Sequence, residues 1–321
     1  MGAKIGDIVI GRKIDVAYLS GKIVAVDALN VLYSFVLTIK DKNGAPLVDR
    51  AGRITSHLVG LFHRTAWLIE NSILPVFVFD GEPPTLKGQE IRKRRLMRRE
   101  RGAVSITDEM IEESKKLLEY LGVPSIQAPR EGEEMAAHIV KKGDAFAVVS
   151  QDRDALLFGA PRLVRNLTLT GRRKIPKTNK YVRVYPEIII LEEILKNYSL
   201  TFEQFVAVGV IAGSDYGEGL KGVGAKTAIK LIKEYKTLET IAKIKEAPEL
   251  IDIANIYLHP KVTDDYTIRF QKSNIEKIRE FLCEEHDFSQ ERVDKEIDRL
   301  LKSPHTIQQT LDEYNRRFSS I

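Results

Sequence analysis

The sequence predicts an α/β fold with a largely parallel, twisted sheet flanked by helices. Residues 22–27, 75–80 and 145–152 are apolar runs of strand length, and an aspartate stands at the end of each run. Patterns with apolar residues three and four positions apart, typical of helices, separate the runs. Strands that alternate with helices form parallel sheets, whose carboxyl ends share one edge. We therefore expect the three aspartates to meet at that edge.

Seven helices and one β-rich stretch complete the predicted order of elements. Each helix shows apolar residues at helical spacing. The helices are expected at residues 28–39, 54–69, 108–121, 131–142, 186–197, 201–212 and 225–235. Gly143 follows the fourth helix, where a glycine commonly ends the helix in a left-handed conformation. Residues 162–185 are expected to be β-rich, and residues 249–302 to be helical and charged.

Composition is typical of a globular protein that works inside the cell. The chain has 321 residues, of which 43% are hydrophobic and 30% are charged. A single cysteine, Cys283, excludes an internal disulfide. The longest apolar run, near residues 205–212, is too short to span a bilayer, and the N-terminus lacks a secretory signal. We expect a cytoplasmic protein with no membrane segment and no targeting signal.

Basic residues cluster in two stretches of the chain. From Lys87 to Arg101 there are eight basic residues and two acidic ones, and residues 84–106 have almost no apolar stripe. That segment is expected to project from the core. Residues 162–183 are also largely basic. Beside a carboxylate-rich site, such stretches indicate a polyanionic substrate. A solvated basic surface is the alternative.

Further carboxylates accompany the three strand-end aspartates. Glu131 and Glu133 stand at the start of the fourth helix, Asp154 follows Asp152, and Asp215 follows the sixth helix. One such aspartate is often only a helix cap, but clustered carboxylates repel one another unless a cation holds them together. Mg²⁺ prefers carboxylate and water oxygens. The sequence therefore predicts a site for divalent metal ions.

A glycine-rich turn precedes the helix expected at residues 225–235. Gly213, Gly222 and Gly224 let the turn expose backbone N–H groups at the start of this helix, and Lys226 adds positive charge. Such a turn can bind phosphate groups. It therefore predicts contact with a DNA backbone, although many glycine-rich turns only cap a helix.

The last residues carry a short motif with a polar residue followed by two apolar ones. Gln308, Leu311 and Tyr314 are spaced three residues apart. This spacing suits docking of the tail into a pocket on a partner. A turn of amphipathic helix packed on its own domain is the alternative.

Together these motifs resemble the flap endonuclease family of structure-specific 5′ nucleases, and the archaeal members in particular. The resemblance covers nearly the whole chain. Its motifs are VDALNVLYSF at Asp27, GRITSHLVGLFHRT at residues 52–65, PVFVFDGEPPTLK at Asp80, APREGE at Glu131, SQDRDALLFGAPRLVRNLT at Asp152 and GSDYGEGLKGVGAKTA at Asp215. It implies a PIN-like nuclease fold with a helical arch and a helix–two-turn–helix element.

The resemblance implies a 5′-flap endonuclease, with 5′–3′ exonuclease activity, that hydrolyses DNA at junctions of single and double strand in replication and repair. It implies two Mg²⁺ ions, for which Mn²⁺ can substitute. One ion would be held by Asp27, Asp80, Glu131 and Glu133, and the other by Asp152, Asp154 and Asp215. Glu134 directly follows Glu133 and is the alternative ligand.

The resemblance also assigns roles in DNA binding. Lys87 and Arg94 would contact the scissile phosphate, and Tyr33 would stack on a nucleobase; a core tyrosine is the alternative for Tyr33. Thr55 and Arg64 belong to a motif expected to contact DNA. The helix–two-turn–helix would bind duplex DNA through Gly213, Gly222, Gly224 and Lys226, with K⁺ on its backbone carbonyls.

The implied partners are branched DNA with a 5′ flap and the sliding clamp, proliferating cell nuclear antigen, for a chain expected to be monomeric. The clamp would bind Gln308, Leu311 and Tyr314. The expected organisation is a nuclease core, a helical part of that core and a clamp-binding tail. These occupy residues 1–250 (with the arch at 84–107 and the helix–two-turn–helix at 205–236), 251–303 and 304–321.

Two departures from the family pattern leave alternatives open. The arch segment is short, with residues 101–104 where more charged helix is usual, and Asn315 replaces a second aromatic residue in the clamp motif. A related 5′ nuclease that prefers gaps, bubbles or junctions is therefore one alternative. A non-catalytic DNA-binding factor tethered to the clamp is another.

Overall fold

The computed structural model describes residues 3–81, 105–167, 172–174 and 181–301. Within these ranges, seven strands form one sheet, and two more form a separate hairpin. The strands of the sheet are β1 Arg12–Lys13, β2 Ile23–Asp27, β3 Leu74–Phe79, β4 Ser125–Gln127, β5 Ala147–Val149, β6 Arg162–Arg165 and β9 Glu187–Ile190. The hairpin strands are β7 Arg172–Lys174 and β8 Tyr181–Arg183.

The sheet has the order β1-β9-β6-β5-β2-β3-β4. The five strands from β6 to β4 run parallel, whereas β9 is antiparallel to β6 and β1 is antiparallel to β9. The predicted, largely parallel sheet is therefore confirmed. Strand β2 lies in the middle and is buried along its whole length, so the ends of its neighbours surround its last residue, Asp27.

Helices cover both faces of this sheet. They are α1 Ala28–Thr38, α2 Ser56–Glu70, α3 Asp108–Tyr120, α4 Gly132–Lys142, α5 Asp154–Leu157, α6 Leu191–Tyr198, α7 Phe202–Ala212, α8 Ala225–Tyr235, α9 Leu238–Ile244, α10 Glu249–Leu258, α11 Ile275–Arg279 and α12 Gln290–Leu301. A 3₁₀ helix, Val16–Leu19, precedes β2, and a π-helix, Glu280–Glu285, follows α11. Within the described ranges, no helix is long and apolar enough to cross a membrane.

Two hydrophobic cores lie on opposite sides of the sheet. One contains side chains of α4, α7, α8 and α10, such as Phe205 and Tyr257. The other contains side chains of α1, α2, α3 and α12, such as Phe35, Leu61 and Ile297. Because both faces are covered, the edge at the carboxyl ends of the parallel strands is the part of the sheet left for a ligand.

The element order follows the sequence prediction with two corrections. Residues 186–197 are predicted as one helix, but Glu187–Ile190 forms strand β9 and the helix begins at Leu191. Three consecutive isoleucines favour a strand, and pairing with β6 and β1 stabilises it. Gly143 ends α4 with φ of 88°, as predicted. Residues 259–274, within the stretch predicted to be helical, contain no helix.

Candidate active site

Three aspartates lie at the carboxyl ends of three adjacent strands. Asp27 is the last residue of β2, Asp80 directly follows β3, and Asp152 lies three residues beyond β5. The sheet order places β2 between β5 and β3. The three aspartates therefore lie at one edge of the sheet, as predicted.

Asp27 is held by donors from two neighbouring elements. Its Oδ1 accepts a hydrogen bond from the backbone N–H of Asn30 at 3.1 Å, which caps α1. Its Oδ2 accepts from the Ser150 hydroxyl at 3.2 Å, and the Ser150 oxygen accepts from the N–H of Asp152 at 3.1 Å. Burial raises the pKa of Asp27 to about 7, and repulsion from Asp80 and Asp152 adds to the rise.

Asp80 is linked to the start of α4 through Gly132. The backbone N–H of Gly132 donates to Asp80 Oδ1 at 2.7 Å. A Cβ atom on Gly132 would lie 2.8 Å from the Val78 carbonyl oxygen and 2.9 Å from Asp80 Oδ1, both closer than real Cβ contacts. The glycine between Glu131 and Glu133 therefore lets the helix approach the end of β3.

Glu133 is directed into the cluster of carboxylates. Its Oε1 accepts a hydrogen bond from the N–H of Ala155 at 3.0 Å, at the start of α5. Burial raises the pKa of Glu133 well above its usual value, and the charges of Asp152 and Asp154 add to the rise. Glu133 therefore shares the electrostatic environment of the strand-end aspartates.

Glu134 has different partners. Its Oε2 accepts from Nε of Arg130 at 2.7 Å, and its Oε1 accepts from a second nitrogen of Arg130 and from the backbone N–H of Lys261. Glu134 is 1% exposed. Because Glu134 pairs with the Arg130 guanidinium, whereas Glu133 lies near Asp152 and Asp154, the geometry favours Glu133 over Glu134 as a metal ligand.

Asp154 and Asp215 join the cluster from beyond the sheet. Asp154 is the first residue of α5, and its Oδ2 accepts from the Tyr257 hydroxyl at 2.9 Å. Its Oδ1 accepts from the backbone N–H of Ala3. Burial raises the pKa of Asp154 well above its usual value, and the charges of Asp152 and Asp215 add to the rise. Asp215, in the turn after α7, therefore lies close enough to Asp154 to affect it.

Glu131 directly precedes α4 and is held by a second tyrosine. Its Oε2 accepts a hydrogen bond from the Tyr216 hydroxyl. Burial raises the pKa of Tyr216, and the charge of Glu131 adds to the rise, so Tyr216 stays a proton donor. The sequence patterns identify neither Tyr216 nor Tyr257. Tyr216 directly follows Asp215, which is a usable signal, whereas nothing in the sequence marks Tyr257.

The donor set suits hard divalent cations. The predicted set has seven carboxylates: Asp27, Asp80, Glu131, Glu133, Asp152, Asp154 and Asp215. The charge repulsions described above link six of them, and Glu131 is connected through the Tyr216 hydroxyl. Over the described residues, no three His, Cys, Asp or Glu side chains are arranged to hold an ion by themselves. Water would therefore have to complete the coordination, as is usual for Mg²⁺. A divalent cation would also offset the repulsion that raises the pKa values of the buried carboxylates. The residues therefore fit such ions.

The predicted phosphate-binding turn lies between α7 and α8. Gly213 ends α7 with φ of 103°, and Gly224 occupies the N-cap position of α8. Gly222 has φ of 76°, and no atom lies within 4 Å of where its Cβ would be. Lys226, in the first turn of α8, is exposed. The turn therefore presents backbone and one cation to solvent at the N-terminus of a helix.

Three other residues predicted to contact DNA lie in α1 and in or directly before α2. Tyr33 is half-buried in α1. Thr55 is 4% exposed, directly before α2. Arg64 is half-buried and lies over the Trp67 ring at 4.7 Å. Burial lowers the pKa of Arg64 to about 10, and the nearby charge of Arg299 contributes. The DNA-binding roles of these residues stay predictions.

The remaining predicted site residues lie outside the described ranges. They are Lys87 and Arg94 in the basic segment, and Gln308, Leu311 and Tyr314 in the tail. The structure therefore has no bearing on their roles, nor on the length of the arch.

Comparison with known proteins identifies relatives along the whole chain. Residues 4–101 match the XPG N-terminal domain, and residues 122–215 match the XPG I-region. Flap endonuclease 1 of Pyrococcus furiosus is 44% identical over an alignment of 342 positions, gaps included, which covers 99% of this chain and 100% of that protein.

Solved structures agree with the sequence comparison. Flap endonuclease-1 from Methanococcus jannaschii has a TM-score of 0.80 at 36% identity, covering 96% of this chain and 99% of that chain. The catalytic core of Rad2 in complex with DNA substrate has a TM-score of 0.73 at 25% identity, covering 94% of this chain and 100% of that one.

Proposed function

Because the chain belongs to the flap endonuclease family and is a structure-specific 5′-flap endonuclease, we propose that the carboxylate cluster is its nuclease centre and binds two Mg²⁺ ions. The observation that carries this proposal is the set of mutually repelling carboxylates at the edge shared by β5, β2 and β3, among which Asp27 and Asp154 are buried. Negative charges gathered so closely are costly unless cations accompany them. Mn²⁺ would be accepted by the same oxygen donors.

The proposed ligands are the seven carboxylates at the family positions. They are Asp27, Asp80, Glu131, Glu133, Asp152, Asp154 and Asp215. When bound, divalent cations would neutralise charge at the scissile phosphate and activate the attacking water. The chain's own contribution is orientation: Ser150, the Gly132 N–H and the Ala155 N–H each hold one carboxylate of this set. Preorganised ligands spare the cost of ordering them when substrate binds.

We also propose that the turn before α8 binds the backbone of duplex DNA. The support is the helix N-terminus at Ala225, the exposed Gly222 turn, and the exposed lysines Lys226 and Lys230. Backbone N–H groups and cations of this kind position a duplex without reading its sequence. K⁺ on the backbone carbonyls of the turn and branched DNA with a 5′ flap as the substrate belong to the same proposal.

Three further roles rest on family positions. Lys87 and Arg94 would bind the scissile phosphate, and Tyr33 would stack on a base close to the cut; Tyr33 lies in the helix that Asp27 caps. Gln308, Leu311 and Tyr314 would dock on the sliding clamp. An enzyme with this substrate would work inside the cell, on replicating or damaged DNA.

The experiment that tests the proposal is cleavage of a 5′-labelled double-flap DNA, with the 5′ end either free or blocked by a bulky group. We expect one short product that requires both Mg²⁺ and a free 5′ end. Product formation in EDTA would overturn the metal proposal. Cleavage that ignores the block would assign gaps, bubbles or junctions as the substrate. If the protein binds DNA but does not cleave it in Mg²⁺ or Mn²⁺, the alternative of a non-catalytic DNA-binding factor tethered to the clamp would apply.

Gly132→Ala is expected to slow flap cleavage by roughly 100-fold, because an added methyl group would push α4 away from the end of β3 and displacements near 1 Å have effects of this size. The matched control is Gly143→Ala at the other end of α4. Gly143 has φ of 88° and open space around it, so alanine there would cost about 1–2 kcal/mol of stability without moving the carboxylates. Single-turnover rates and Tm separate the two; equal rates would contradict the prediction.

A further inference from the structure

Two tyrosines lie behind the carboxylate cluster and touch each other. The Tyr216 hydroxyl donates to Glu131 Oε2, and the Tyr257 hydroxyl donates to Asp154 Oδ2 at 2.9 Å. Tyr216 is 7% exposed and Tyr257 is 1% exposed. Their rings meet edge to face, with centroids 5.2 Å apart and planes at 85°. The two hydrogen bonds are therefore made by one packed pair of side chains.

The pair also connects to the turn that carries Asp215. The backbone N–H of Tyr216 donates to Ser214 Oγ at 3.3 Å, and Asp215 lies between these two residues. The Tyr257 ring packs on Phe158, with centroids 4.8 Å apart. Carboxylates from two separate parts of the chain, Glu131 and Asp154, are thus linked through these two tyrosines, and Asp215 directly precedes Tyr216.

A hydroxyl donor on one oxygen of a carboxylate determines which lone pairs face a ligand. Tyr216 engages Glu131 Oε2 and so restrains the orientation of that carboxylate. Asp154 is restrained on both sides, by Tyr257 at Oδ2 and by the Ala3 N–H at Oδ1. Hydrogen-bond partners of this type orient metal ligands, and their loss typically weakens metal binding 10- to 100-fold, roughly.

We infer that Tyr216 and Tyr257 are positioning residues, which orient Glu131 and Asp154 and thereby set the affinity of the nuclease for divalent cations. This inference rests on the proposed metal-dependent function. Both side chains are too buried to contact DNA, so their effect is on the carboxylates rather than on substrate binding. The shared ring contact predicts that the two hydroxyl groups act together.

Packing alone is the rival explanation, and Tyr→Phe substitutions separate the two. Phenylalanine keeps the ring contacts with Phe158 and between the pair, and removes only the hydroxyl group. The matched control is Tyr266→Phe, since the Tyr266 hydroxyl also donates to a carboxylate, that of Asp144, in the loop after α4. That pair lies outside the cluster, so the control loses the same kind of bond at another place.

The test measures Mn²⁺ binding to the full-length chain without DNA, by titration calorimetry, and the Mg²⁺ concentration that gives half-maximal cleavage. We expect Tyr216→Phe and Tyr257→Phe each to weaken Mn²⁺ binding by about tenfold and to raise the half-maximal Mg²⁺ concentration by about tenfold. The double variant should lose less than the product of the single effects, because the pair acts as a unit. Tyr266→Phe should match wild type, and flap-DNA affinity in EDTA should be unchanged in all variants.

The outcomes distinguish this inference from the proposed function. If wild type binds Mn²⁺ but both phenylalanine variants, folded by circular dichroism, bind it equally well, the positioning role is wrong and the nuclease centre stands. If wild type binds no Mn²⁺ and cleaves without divalent ions, the metal-dependent function itself is wrong. Loss of flap-DNA affinity in EDTA without a change in Mn²⁺ affinity would assign the tyrosines to packing and overturn the inference.

Discussion

Asp80→Asn is expected to abolish cleavage while leaving flap binding intact. Asparagine has the same shape, and its amide oxygen can still accept the hydrogen bond from the Gly132 N–H, which spans 2.7 Å in the wild-type chain. What is lost is one negative charge beside Asp27. We expect the single-turnover rate to fall on the order of 10³-fold or more, which corresponds to about 4 kcal/mol of activation free energy.

The measurement is single-turnover cleavage at saturating Mg²⁺, paired with flap-DNA affinity in Ca²⁺ or EDTA. Asp298→Asn is the control, because it removes the same charge from an exposed position on α12. A rate for Asp80→Asn within tenfold of wild type would exclude Asp80 from the metal site. A parallel loss of DNA affinity would show that the charge serves binding instead.

Two adjacent glutamates are expected to respond in opposite ways when each is changed to glutamine. Glu133→Gln should slow cleavage by about 10²- to 10³-fold, since one ligand charge is lost. Its folded metal-free form should be no less stable than wild type, because one of several repelling carboxylates is gone. Glu134→Gln should retain cleavage, because Glu134 faces Arg130 rather than the cluster.

Glu134→Gln is expected to lower the stability of the folded protein. The substitution removes the carboxylate that pairs with the Arg130 guanidinium in a largely buried position, where the Arg130 side chain is 15% exposed. We expect a loss of roughly 2–3 kcal/mol, less than for a fully buried pair because Arg130 keeps some solvent contact. Chemical unfolding and cleavage rates of both variants check this. A catalytic defect in Glu134→Gln with normal stability would restore Glu134 as the ligand.

Much of the site could be predicted because parallel strands align their carboxyl ends. Asp27, Asp80 and Asp152 each follow an apolar run, and the alternation with helices implies that these ends share an edge. The sheet order, which the structure supplies, places the three strands side by side. The apolar periodicity and the positions of the strand ends are thus sufficient to predict that Asp27, Asp80 and Asp152 belong to the centre.

Contacts between distant parts of the chain were beyond such patterns. The sequence pattern predicts a helix over Ile188–Ile190, because the strand character of this segment depends on partners far away in sequence. The choice between Glu133 and Glu134 depended on where α4 begins, since each residue turns the side chain by about 100°. No sequence pattern identifies Tyr257, because its role depends on its contact with Asp154.

That long-range contact has a consequence during protein synthesis. A ribosome makes the chain from its N-terminus, so Ala3 and Asp154 emerge well before α10. The hydrogen bond from Tyr257 to Asp154 therefore forms only after about four-fifths of the 321 residues have been translated. An unfinished chain can bury most of its sheet and still lack the last support of its carboxylates. The hydrogen bond that Tyr257 donates to Asp154 is thus available only once α10 has been made.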